Sequence, residues 1–487
     1  MRRIVPFVVV LAIASPAAGQ SVDDESAGRI AGDLSRYIGT GAFDNGLVRI
    51  SVDGDAYRVF LDLEAIGGGE AGASLDLAPL ALRVKPLADG TFAVSGEFPL
   101  AGSFGFRLPE TEQSPAVNSH FEWILQEGRL AGIFDPELAA FATASGSFGG
   151  LKAISRDDNQ EVEITIGAGT IDVTGKRSAG SGIDYSSTQT MTDFVETLAV
   201  PTSPDAPPLP VTIAAPRITV ASTATGFQSR PLLDLLAFGV AQSGRDKGEI
   251  DQRELKRLLL AALPMWDTIS AGYHLGDLAI DTPVGRFGLD SFETTIGIDG
   301  IRTDGALGYQ FGFSGITIPA DLVPDWGQPL LPTHVSLNFG VHNLDTESPV
   351  RQIIEALDLG REPPIPDEVR ATVLASFLDN PPVFVLERSV IRNADVEIVM
   401  SAEMPFSIEE PELSATVEVA GFDTAAAAVT AAAAADPDME QVLPFFLAAR
   451  GIARVLDDGR LQWLVKSRSD GAVLVNGAML KGPDPVE

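Results

Sequence analysis

Apolar and polar residues alternate one by one along most of the chain, and this period of two restricts the fold more than any other feature. Val48, Ile50 and Val52 alternate with Arg49, Ser51 and Asp53; beyond the turn Asp53-Gly54-Asp55 the pattern resumes at Tyr57, Val59, Leu61 and Leu63. Two such runs around a glycine turn predict a β-hairpin. Phe92, Val94 and Phe98 follow the turn Asp89-Gly90, while Val162, Ile164 and Ile166 precede a predicted glycine turn that Ile171 and Val173 follow. Leu307, Tyr309, Phe311 and Phe313 alternate with Gly308, Gln310, Gly312 and Ser314. Val335, Leu337, Phe339 and Val341 do the same, as do Leu413, Ala415, Val417 and Val419. Strands with a single apolar face belong to antiparallel sheets.

Helical patterns are fewer and fall between strand groups. They predict helices over Thr192 to Ala199, Pro231 to Gln242, Gln252 to Leu263, Glu347 to Leu359, Pro366 to Leu378 and Asp438 to Val455. Pro366 falls just inside its helix start, and Asp436-Pro437 supplies a cap and first-turn proline for the last helix. The run Ala425 to Ala435 reads as helix on propensity and as a flexible linker on its lack of an amphipathic stripe. Five prolines between Pro201 and Pro210 mark a linker and place a domain boundary there. The expected organisation is a β-rich domain over 20–200 and an α+β domain over 211–487. No fixed period recurs, which argues against a propeller or a short-repeat solenoid. The fold class is α+β and β-rich, with long curved antiparallel sheets and a few packed helices.

Met1, Arg2 and Arg3 open the chain, followed by an apolar run from Ile4 to Ala14 and small residues at Ala17 and Gly19. That order predicts a secretory signal peptide over 1–19. The apolar run is too short to cross a bilayer core, which takes about 20 helical residues. Because no cysteine occurs, lipoprotein acylation, disulfides, thiolate metal sites and cysteine nucleophiles are all excluded. The expectation is a mature periplasmic chain without a transmembrane anchor. With 34 basic against 67 acidic side chains the net charge is −33, so a nucleic-acid partner is not expected: phosphate binding needs a basic stripe.

Motifs that could carry chemistry fail in context. Gly67, Gly69 and Gly72 match a dinucleotide fingerprint, yet Leu75-Asp76-Leu77-Ala78-Pro79 continues like a strand where the fingerprint needs a helix. Gly169 and Gly175-Lys176 resemble a phosphate loop with one residue too many between the glycines and Arg177 in the hydroxyl position. Ser243 to Glu254 resembles a calcium loop, with Gly248, Ile250, Asp251 and Glu254 in place, but Arg245 and Lys247 occupy two of the ligand positions. Asp251 and Glu254 then read as a helix start. His334 and His342 share one strand parity but stand roughly 27 Å apart at about 3.4 Å per residue. His120 and His274 complete no metal spacing. Gly146-Ser147-Phe148-Gly149 and Gly312-Phe313-Ser314-Gly315 each fall one residue short of a nucleophile elbow. The pairs Asp157-Asp158 and Asp457-Asp458 are adjacent residues, which point to opposite faces when extended. No cofactor and no metal is expected, and the chain reads as no enzyme; a hydrolase would need a cluster that only folding could assemble.

Two blocks carry a family resemblance. One is Ala262 to Gly300, and the other runs from Phe446 to Leu480 with Gly451-Ile452, Arg460-Leu461-Gln462-Trp463, Asp470-Gly471 and Val475-Asn476-Gly477. Together they resemble the uncharacterised Gram-negative envelope proteins of domain of unknown function 2125. The resemblance implies a periplasmic protein and brings no active-site residues with it. The function expected from the residues is a concave apolar sheet face that binds a lipid or other hydrophobic small molecule through Leu307, Tyr309, Phe311, Phe313, Val335, Leu337, Phe339 and Val341. Its competitors are a face covered by the protein's own helices, and an envelope scaffold that takes a protein partner.

Overall fold

The computed structural model describes residues 22–62, 73–108, 117–157, 160–200, 208–407, 412–435 and 437–484. The expected signal peptide, the glycine fingerprint at 67–72, Asp158 and Asp436 lie outside the described residues. The fold is β-rich α+β, and it divides into two compact units. Unit 1 holds the described residues up to Ile269 with Ile280–Pro283 and Leu357–Pro364; unit 2 holds the rest. Among the described residues no helix is long and apolar enough to cross a membrane.

Unit 1 begins with helices α1 (Asp24–Ile38) and α2 (Gly41–Asp44). Strands β1 (Val48–Asp53), β2 (Ala56–Leu61), β3 (Ala73–Leu77), β4 (Leu80–Pro86) and β5 (Phe92–Leu108) follow. Five long strands then follow: β6 (Val117–Asp135), β7 (Ala140–Asp157), β8 (Glu161–Arg177), β9 (Ile183–Val200) and β10 (Leu209–Phe227). They pair antiparallel in the order β1-β2-β4-β5-β6-β7-β8-β9-β10, with β3 on the far half of β5. Helices α3 (Ser229–Ala241) and α4 (Gln252–Ala261) close the unit.

Helix α1 has a strong start that the alternation obscures. The Asp23 carboxylate accepts from the Ser26 backbone N–H at 2.8 Å, and Asp24 and Glu25 sit in the positive first turn. Ala27, Ile30, Leu34 and Tyr37 then fall on one face, which buries against Val48, Tyr57, Val59, Leu82, Val94 and Phe134. The core of unit 1 is this helix on one face of the sheet.

Four expectations need correction. Thr192 to Ala199 is strand, inside β9: its Thr, Phe and Val side chains suit a pleated surface, and β8 and β10 pair with it on both sides. Gly167 and Gly169 make no turn, for β8 runs straight through them, and Gly169 leaves the space that the Phe148 ring occupies. Residues 201–207 of the proline-rich stretch lie outside the described residues, and the two compact units do not divide there. Leu209 pairs with Val200, so the stretch joins two neighbouring strands of one unit, and the division comes after Ile269. Pro366 serves as the N-cap of its helix rather than its first turn.

Within this sheet, Tyr185 of β9 packs edge-on to Phe227 of β10 at 6.4 Å near Leu138, Ala140 and Ile183. Burial pushes its hydroxyl up to about 12, above the ordinary tyrosine value, only partly opposed by a backbone hydrogen bond with Phe141. A raised acid pKa stabilises the folded state fully below the unfolded value, and the gain disappears as pH rises from about 10 toward 12. Tyr185→Phe has no proton to lose and is expected to flatten this alkaline decline in a series of thermal midpoints. Parallel decline of parent and variant would contradict it.

Unit 2 contains Ser270–Ala279 of β11 (Thr268–Thr282), then β12 (Gly285–Asp299), β13 (Gly305–Ser314) and β14 (His334–Leu344). Helices α5 (Glu347–Ala356) and α6 (Asp367–Asp379) come next, then β15 (Val383–Arg392), β16 (Glu397–Pro405) and β17 (Ser414–Ala420). Helices α7 (Phe422–Ala435) and α8 (Pro437–Ile452) precede β18 (Arg454–Val455), β19 (Leu461–Ser467), β20 (Val473–Val475) and β21 (Ala478–Lys481). From β12 to β17 each strand pairs antiparallel with the next; β19 follows β17, β18 and β20 share the other edge of β19, and β21 pairs with β20. The alanine run is helical, with Ala425, Ala428, Val429 and Ala432 buried along one side.

Candidate functional site

The site grows out of the register between β13 and β14. Leu307 stands opposite Val341, Tyr309 opposite Phe339, Phe311 opposite Leu337, and Phe313 opposite Val335. Directly opposed residues of an antiparallel pair share a face, so all eight residues singled out from the sequence lie on one surface. Gly308, Gln310 and Gly312 point the other way.

Neighbouring strands extend the same face. Ile298, Ile296 and Phe292 of β12 align with Leu307, Tyr309 and Phe313. On the other side Phe384 and Leu386 of β15 align with Val341 and Phe339, and Met404 and Ala402 of β16 continue those rows. Aromatic rings link β11 to β13: Tyr273 stacks on Phe292 at 5.8 Å, and Phe292 meets Phe311 edge-on at 5.3 Å. Each pair of this kind adds roughly 0.5–1.5 kcal/mol beyond area burial.

A β-bulge keeps β15 in this arrangement. Between Leu386 and Ser389 its register to both neighbours shifts, and β15 runs one residue longer than either. Leu386 and Ile391 are five apart and would face opposite ways in a regular strand; the extra residue puts both on the apolar side. Ser389 is completely buried at the irregularity, accepting from the Asn338 N–H at 2.9 Å and donating to the Glu387 carbonyl at 3.0 Å.

One end of the face is covered. Ile398, Val419 and Leu461, in one row with Val335 and Ile391, pack under α7 and α8. Phe422 stacks on Phe446 at 4.6 Å, and Trp463 donates its indole N–H to the Ala449 carbonyl at 2.8 Å. At the other end Tyr309, Phe339 and Phe384 remain 41%, 46% and 42% exposed, and Ile296 and Ile298 are exposed with them. A depression of about 350 Å³ opens here, bounded by Leu307, Phe339, Val341, Phe384, Leu386 and Met404. Among the described residues Glu403 is the one charged residue on its border.

Sequence reasoning found β13 and β14 but missed Ile296, Ile298, Phe384 and Met404. Ile296 and Ile298 do alternate with Thr295 and Gly297, which was a usable signal; in Val383-Phe384-Val385-Leu386 both parities are apolar, so no face stands out.

Other candidate groups do not converge. His342 lies 3.4 Å from Glu387 and His120 lies 3.9 Å from Glu122, each pair at a half-exposed surface. Asp251 accepts from the N–H groups of Arg253 and Glu254 at 3.1 Å and caps α4. The Arg257 guanidinium holds the Glu254 carboxyl below its usual range through bonds of 2.7 and 2.8 Å. These two carboxylates of the calcium-like loop are thus engaged in starting the helix. Gly146-Ser147-Phe148-Gly149 lies within β7, and Ser314 ends β13 bonded to Ser291 at 2.7 Å. Among the described residues no three His, Asp or Glu side chains are grouped to hold a metal ion.

No protein-family model matches the chain, and no curated protein or solved structure does so either.

Proposed function

We propose that the chain is an exported, non-enzymatic periplasmic protein that holds a lipid or other hydrophobic small molecule against the open part of the unit 2 sheet. The observation that carries this reading is the row of exposed Ile296, Tyr309 and Phe339, joined by Ile298 and Phe384, around an apolar depression. Contiguous exposed apolar surface is costly in water and marks binding faces. The bulge in β15 increases local twist and so favours a concave surface. The basic start and short apolar run at Met1 to Gly19 support export, and the resemblance to Gram-negative envelope proteins supports the same compartment.

The test is to purify the full chain from a Gram-negative periplasm, extract it with organic solvent and identify bound lipid by mass spectrometry. Stoichiometric lipid, and fluorescence of an apolar dye on the stripped protein, are the expected results. Lipid-free protein that leaves the dye dark defeats the proposal; recovery of one defined protein partner in place of lipid favours a scaffold.

A further inference from the structure

A second surface lies in unit 1, opposite the face that α1 covers. Its rows are polar: Arg58 of β2 stands opposite Arg83 of β4, and Ser95, Ala131, Ser145 and Asp172 continue the row across β5 to β8. The adjacent row reads Glu97, Arg129, Ser147 and Thr170. A trough of about 750 Å³ runs over these rows. At about 4.8 Å per strand, the distance from β4 to β8 is roughly 19 Å, enough for a short oligosaccharide.

The arginines break a rule of sheet surfaces. Like charges directly opposite one another destabilise an antiparallel pair, and opposite charges are the stabilising choice. Arg83 is engaged by Asp55, which also takes Lys85 at 2.7 Å; Arg58 has no ion-pair partner among the described residues. Arg129 is exposed and held by Glu97 only at 3.5 Å. In a chain of net charge −33, three guanidinium groups border one depression, which they share with the carboxylates of Asp53, Glu97 and Asp172. Local conflicts of this kind are expected at functional sites, where a ligand resolves them.

The lining defines the ligand. Guanidinium forks bind carboxylate or phosphate in bidentate fashion. Ala81 and Ala131 keep the floor low, Ser95, Ser145, Ser147 and Thr170 offer hydroxyls that both donate and accept, and Asp172 accepts at the far end while repelling a second anion. We infer that this trough binds an acidic oligosaccharide, with its carboxylate or phosphate between Arg58 and Arg83 and its neutral hydroxyls along the serine row. This site is independent of the apolar face of unit 2.

Calorimetric titration of the full chain with trigalacturonate, a singly phosphorylated maltotriose, unmodified maltotriose and inorganic phosphate tests it. At least one acidic trisaccharide should bind tenfold or more tightly than both maltotriose and phosphate, and the tighter of the two identifies the acid. Arg58→Gln should weaken that binding at least tenfold and leave the thermal midpoint unchanged or higher, because it also removes the repulsion from Arg83. Rising salt should weaken binding in the parent and less in the variant. The inference is overturned if neither acidic sugar binds, if Arg58→Gln binds like the parent, or if phosphate alone binds as well as the sugars.

Discussion

Exchanging Tyr309 and Phe339 together for glutamate is expected to weaken binding of an apolar dye or extracted lipid by tenfold or more while the fold survives. The two side chains are direct cross-strand neighbours in the middle of the exposed row. Covering an aromatic side chain is worth about 1.5–3 kcal/mol, and each 1.4 kcal/mol is a tenfold change in affinity. Carboxylates in the same place would need desolvation before any apolar ligand could settle. The repulsion between them costs the sheet only about 0.2–1 kcal/mol. Gln310→Glu, on the opposite face of β13, controls for added charge and should bind normally. A double variant that still lights the dye would place the ligand elsewhere.

The largest loss of stability is expected from Trp463→Ala. This side chain is only 9% exposed, lies against Phe422 at 5.8 Å and bonds the Ala449 carbonyl. Large-to-small changes at such sites cost about 3–5 kcal/mol, through lost transfer energy and the cavity left behind. Trp463→Phe keeps the ring contact and loses the hydrogen bond, which should cost roughly 1 kcal/mol. Hydrogen exchange over β16 to β19 reads the effect within unit 2 separately from unit 1. Equal protection in the alanine variant and the parent would show that α7 and α8 are not fastened through this residue.

Much of this architecture could be read before folding, because it depends on parity alone. The alternation at Leu307 to Phe313 and Val335 to Val341 already put eight side chains on one side of their strands, and one antiparallel register put both sets on the same surface. Register itself was not legible. Whether Phe384 stands beside Val341 depends on an extra residue in β15, which no local pattern announces. Thr192 to Ala199 looked helical because a short mixed run has weak preferences that two flanking strands override. Helix α1 does not stand out in the sequence, although Ala27, Ile30, Leu34 and Tyr37 hold a helical spacing behind a capping Asp23. Its small residues, Ala27, Gly28, Ala31 and Gly32, dilute the apolar signal. The polar trough was equally hidden, since Arg58 and Arg83 are distant in sequence and become neighbours only when β2 meets β4.

From β5 through β10 every strand lies beside the one made just before it. Such a meander can assemble by successive zipping, because each arriving segment finds its template already laid and closes only one connection. Growth of the sheet therefore needs no distant search, and a chain delivered end first could build it in order of delivery.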